Sequence, residues 1–126
     1  TASGTGRSRK EDSLVDREYV TADGEVKTRK SITFNPFLKT KLVGVLAGSF
    51  LKQTPNQYRT VYDNYKHRIE SDSRHVDKTL GHRHNMAMRY MVKMFLIDLY
   101  KAWRQIEGLP VAPSFHEGKL GHRHAA

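Results

Sequence analysis

The longest regular run of apolar and polar positions is LGHRHNMAMRYMVKMFLIDLYKAWRQIEGLP, residues 80–110. At about 100° per residue, Met88, Met91, Val92, Phe95, Leu96, Leu99, Ala102, Trp103 and Ile106 share one broad stripe, the pattern of a helix that turns a face to a core. Arg89, Lys93, Tyr100 and Arg104 fall on the opposite side, with Met86, Tyr90, Met94 and Ile97 interleaved. Those apolar residues predict a second packing partner. Gly108 stands where a left-handed C-cap residue relieves the last carbonyls, and Pro110 blocks continuation.

Two shorter helical patterns precede it. Asn35-Pro36 predicts a helix start, because asparagine caps free amides and proline at the first position sacrifices no hydrogen bond. The helix extends to about Leu51 with Leu38, Leu42, Val45, Leu46 and Phe50 as its core stripe, and Gly44, Ala47 and Gly48 as a small-residue strip suited to close helix packing. Thr54-Pro55-Asn56-Gln57 then reads as a capping box. It opens a helix whose Tyr58, Val61, Tyr62, Tyr65 and Ile69 lie in a narrow arc and are assigned to packing. Before these helices, DREYVTADGEVKTRKSITF alternates around Asp23-Gly24, a strong hairpin signal that predicts strands at about 17–21 and 25–29. The period vanishes at both ends. The pattern as a whole predicts a mainly α fold: one small three-helix domain with an N-terminal β-hairpin and irregular ends. Its parts are a basic loop 1–16, the hairpin 17–30, a helical core 35–108 and a tail 109–126.

Charge adds a partner to this picture. Among 126 residues, 22 Lys and Arg stand against 13 acids, for a net charge of +9, which favours a polyanion such as DNA or RNA. Arg7, Arg9, Lys10, Arg29, Arg83, Arg89, Lys93 and Arg104 are the candidate phosphate contacts, since each phosphate neutralised releases counterions. The chain has no cysteine, so disulfides and thiolate chemistry are excluded. No apolar run approaches the length of a spanning helix and no leader pattern is present, so the expectation is a soluble cytoplasmic protein without a membrane partner. The chain starts at Thr1 in a Gly- and Ser-rich basic stretch, which suggests a fragment.

The pentapeptide Leu80-Gly81-His82-Arg83-His84 recurs as Leu120-Gly121-His122-Arg123-His124. These His-x-His pairs, with His75 and His116, suit either a metal or hydrogen bonds to backbone and phosphate. Residues two apart on a helix point in nearly opposite directions, so His82 and His84 could share a metal only in an extended turn. No hydrolytic triad, Walker loop or carboxylate pair is legible.

Five segments in order, GRSRKEDSLVDREY, ITFNPFLKTKLVGVLAGSFLK, YRTVYDNYKHRIE, GHRHNMAMRYMVKMFLIDLYKAWR and EGLPV with KLGHRH, resemble the C-terminal region of insertion-sequence transposases of the Piv-type, serine-dependent family. The resemblance covers nearly the whole chain. It implies a bacterial, nucleoid-associated enzyme that cuts and joins DNA, with a structured RNA specifying sites in some members. It also implies a RuvC-like N-terminal domain, absent from these residues, whose acids hold Mg²⁺, so that no metal ligand falls in this chain. A homo-oligomer is expected because two DNA partners must be held together. The family's serine nucleophile maps onto Ser8 within GRSR, with Ser3 as the alternative.

Overall fold

The computed structural model describes residues 14–53 and 55–121, with only the backbone of 115 and 116. The fold is mainly helical with an N-terminal antiparallel hairpin. Strands β1 (Val15–Val20) and β2 (Val26–Ser31) pair with Arg17 opposite Arg29 and Tyr19 opposite Lys27. Both reach further from the turn than the predicted 17–21 and 25–29, because the pairing continues to Val15 opposite Ser31, and the turn itself is a three-residue loop. The Thr21 carbonyl accepts from Gly24 N–H at 2.9 Å, and Thr21 N–H donates to the Glu25 carbonyl at 2.8 Å. Gly24, at φ +82°, supplies the left-handed residue that a type I turn needs before rejoining the ladder.

The first helical rod starts as predicted. Asn35 accepts from Leu38 N–H at 3.1 Å and Pro36 occupies the first turn of α1 (Pro36–Lys39). The rod then widens into a π-helical stretch, Thr40–Leu46, before returning as α2 (Ala47–Lys52). At the junction the Thr40 hydroxyl donates to the Pro36 carbonyl at 2.9 Å. Widening the turn changes which residues share a face. The Ala47 N–H reaches back five residues to the Leu42 carbonyl, and these two are the buried residues of the rod. Val45, predicted in the core stripe at ordinary helical spacing, is 57% exposed, and Leu38 also faces outward. The small-residue strip divides similarly: Ala47 is buried, whereas a Cβ at Gly44 or Gly48 meets nothing within 4 Å. Close packing at those glycines, expected from the sequence, is not observed among the described residues.

Helix α3 (Gln57–Glu70) buries Tyr62 and Ile69 and half-buries Tyr58, Val61 and Tyr65, as its arc predicts. Asp72 caps a short 3-10 turn, Ser73–His75, and Thr79 caps the 27-residue α4 (Leu80–Ile106) through His82 N–H. The end of α4 is a Schellman motif. Leu109 N–H donates to the Arg104 carbonyl at 2.8 Å and Gly108 N–H to the Gln105 carbonyl at 3.2 Å, with Gly108 at φ +67°. The apolar stripe of α4 is used only in its first half. Ala87, Met88, Met91 and Val92 are buried and Phe95 and Leu96 half-buried, but Leu99, Ala102, Trp103 and Ile106 are exposed. The predicted irregular tail contains one short turn of helix, α5 (Phe115–Gly118). Contacts divide the chain into two compact units, Thr1–Arg59 and Thr60–Ala126.

Candidate nucleic-acid interface

The second unit gathers its aromatic and cationic side chains through one repeated spacing. Tyr65 and Arg68 stand three apart on α3, and Tyr90 and Lys93 three apart on α4, so each ring lies beside a cation on its own helix. The two rings stack across the helices with centroids 4.1 Å apart and planes 13° off parallel. The Arg68 guanidinium lies 4.7 Å from the Tyr65 centroid and 5.7 Å from that of Tyr90, while Lys93 Nζ lies 4.8 Å from the Tyr90 centroid. Burial, and then the charge of Arg68, push the Lys93 ammonium below its ordinary range. Two cations thus share a small aromatic platform, where Arg68 disfavours the charge on Lys93. The ring contacts return about 0.5–1 kcal/mol each at such partly exposed sites.

Beside this platform opens a cavity of about 310 Å³ lined by Tyr65, Arg68, Ile69, Asp72, Arg74 and His75. Arg74 is held by Asp72 in a two-pronged contact, with Nη2 to Oδ2 at 2.6 Å and Nε to both oxygens at 3.0–3.1 Å. The hydrogen bonds from Arg74 hold the Asp72 carboxyl well below the usual carboxylate range, and Asp72 in turn raises Arg74. His75 Nδ1 is buried without a hydrogen-bond partner among the described residues. The opening offers two guanidinium groups, an imidazole and one aromatic face, with the Asp72 carboxylate engaged by Arg74.

The sequence-predicted contacts scatter. Ser3, Arg7, Ser8, Arg9 and Lys10 lie outside the described residues. Arg29 sits on the hairpin, 5.1 Å from the Tyr19 centroid. Arg83 donates through Nη2 to the Val76 carbonyl at 3.0 Å, pinning the loop that enters α4. Arg104 donates through Nε to the Pro110 carbonyl at 2.8 Å and lies 5.7 Å from the Tyr100 centroid, so it fastens the chain beyond α4. Arg89 is half-buried on α4. Of the predicted basic face, therefore, Lys93 is the member that joins the aromatic platform. Tyr90, predicted to meet a separate partner, meets Tyr65 instead. Arg68 and Arg74 are not among the phosphate contacts expected from the sequence, although the repeated Tyr-x-x-cation spacing at 65–68 and 90–93 is there to find.

The first His-Arg-His lies in the opening turn of α4, and His84 Nδ1 shares a 2.6 Å hydrogen bond with the Tyr62 hydroxyl. Among the described residues no three His, Cys, Asp or Glu side chains come together as a metal site. The second His-Arg-His, at 122–124, lies outside them. No described helix is long and apolar enough to cross a membrane. Comparisons with protein-family models, with curated proteins and with solved structures returned no match. The family resemblance therefore rests on the sequence segments quoted above.

Proposed function

We propose that this chain is the DNA-handling C-terminal part of an insertion-sequence transposase, acting in the bacterial nucleoid with a RuvC-like metal-binding domain. The observation that supports nucleic-acid binding is the Arg68–Tyr65–Tyr90–Lys93 platform. Its two like charges beside stacked rings match a phosphate backbone with bases alongside, and the chain as a whole carries a net charge of +9. The ordered resemblance of five segments supports the transposase class. DNA is the substrate, a structured RNA is an added partner, and a homo-oligomer holds the two DNA partners.

In this reading Ser8, or alternatively Ser3, is the nucleophile. Its hydroxyl oxygen attacks a backbone phosphorus and the bond to one deoxyribose oxygen breaks. The serine proton leaves to a base and the departing oxygen gains a proton, so the phosphodiester is conserved as a phosphoserine ester for rejoining. Arg7, Arg9 and Lys10 neutralise the phosphate. The described residues assemble no site for Mg²⁺, and no step is assigned to it within them. The same platform also serves a basic binding module with no covalent step, and the two readings part at the serine. With the RuvC-like half joined, Ser8→Ala is expected to abolish recombination and the covalent DNA adduct while duplex binding persists. Unimpaired recombination by Ser8→Ala and by Ser3→Ala alike would exclude both of these serines as the nucleophile.

A further inference from the structure

The hairpin sorts its charges by face. Cross-strand partners share a face, so the register places Arg17, Tyr19, Lys27 and Arg29 together on one side and Asp16, Glu18 and Lys30 on the other. The first side carries three strand cations and no strand carboxylate. The second carries two carboxylates and one lysine. Next to the turn, Glu25 reaches Lys27 at 3.2 Å, but the two side chains are 67% and 56% exposed, so water screens the pair. Arg17 and Arg29 are direct cross-strand partners, and like charges placed so destabilise a sheet. Every residue of β1, and of β2 up to Lys30, is exposed. A two-stranded ribbon is marginal by itself, so a face that costs it stability calls for an anionic occupant.

The shape of the ribbon narrows the choice of polyanion. The major groove of B-form DNA admits a two-stranded β-ribbon, whereas the deep, narrow major groove of A-form RNA excludes side chains. We propose that β1–β2 is a DNA-contacting arm that lies along the major groove of duplex DNA, with its Arg17–Tyr19–Lys27–Arg29 face turned to the groove and to the phosphates that border it and its Asp16–Glu18 face turned away. This rests on the DNA-binding reading above but concerns a different surface, and the two are separable by experiment.

The test is the salt dependence of binding of the whole chain to a fluorescent DNA duplex, with an A-form RNA duplex in parallel. Replacing Arg17 and Arg29 together by Gln is expected to lower the slope of log K against log salt by about 2, at roughly 0.9 per phosphate contact. Arg17→Lys with Arg29→Lys keeps both charges and is expected to retain the slope. Asp16→Asn with Glu18→Gln, on the other face, is expected to leave it unlowered. Because the Gln pair relieves a like-charge contact, its thermal midpoint by circular dichroism is expected not to fall. Salt-dependent binding by the native chain with an unchanged slope in the Gln pair would overturn the arm and leave the DNA-binding reading standing. Preference for the RNA duplex would also overturn it. Absence of salt-dependent duplex binding by the native chain would overturn both.

Discussion

The Tyr62 hydroxyl and His84 Nδ1 lie 2.6 Å apart and tie α3 to the first turn of α4, with the rings edge to face at 5.6 Å. Tyr62 is a buried anchor and His84 is half-buried, so the bond fixes the pair of helices that carry the Tyr65–Tyr90 stack. Tyr62→Phe removes the hydroxyl and leaves the imidazole nitrogen without its partner. The expected loss is about 1 kcal/mol, toward the low end of the range for a partly exposed group, measured as a lower midpoint in urea.

Lys93 yields a pH prediction. Its ammonium is pushed below 10.5 by burial and by Arg68, so in the folded chain it releases its proton before it does in the unfolded chain. Between the folded and the unfolded value the unfolded state holds more protons, and this group's contribution to stability therefore rises with pH across that alkaline window. Lys93→Met removes that contribution, and its stability curve is expected to be flatter there. Phosphate beside Lys93 restores the proton, so DNA binding just below pH 10.5 is expected to take up protons, as calorimetry in buffers of different ionisation enthalpy would read.

Two glycines predict opposite signs. Gly44 is in the π-helical stretch, has no positive φ and has open space where a Cβ would stand. Gly44→Ala is expected to stabilise by about 0.5–1 kcal/mol. Gly24 needs its φ of +82°, and Gly24→Ala is expected to cost about 1–2 kcal/mol. Thermal unfolding of the two variants side by side reads both effects.

Asp72 restrains a guanidinium at the cavity. Asp72→Asn keeps an oxygen to cap Arg74 N–H but removes the charge that holds the Arg74 side chain. Freed Arg74 is expected to raise DNA affinity and to steepen the salt dependence by about one phosphate contact. The carboxyl of Asp72 lies well below the usual range, so its contribution to stability is present above the ordinary carboxylate pKa and is lost only in strong acid, as pH falls through the depressed value. Its removal is therefore felt at neutral pH.

The architecture was legible where local rules decide it. Asn35-Pro36, Asp23-Gly24 and Gly108 each placed a turn or a helix end, because caps and left-handed residues are set by chemistry within a few positions. Two faces were misread for different reasons. On the first rod Leu42 is buried as its spacing predicts, but across the π-helical stretch Val45 lies outward, and no helical arithmetic at 3.6 residues per turn can foresee that. On α4, Leu99, Trp103 and Ile106 carry a core pattern yet lie exposed, since periodicity reports an apolar face and not what covers it. The interface was legible only in part. Lys93 was identified from net charge on α4, but its ring partner Tyr90 stacks on Tyr65, and contacts between helices have no sequence period. Arg83 and Arg104 look like phosphate contacts in a basic sequence, and in the fold they hold the Val76 and Pro110 carbonyls.

The central claim is that the Arg68–Lys93 platform receives a nucleic-acid backbone. Its most direct test is duplex DNA binding by the whole chain over a series of salt concentrations, native against Arg68→Gln with Lys93→Gln. The native chain is expected to bind more weakly as salt rises, and the double variant to lose about 2 from the slope of log K against log salt while its helix content by circular dichroism is retained. A well-folded double variant with the native affinity and the native slope would contradict the claim.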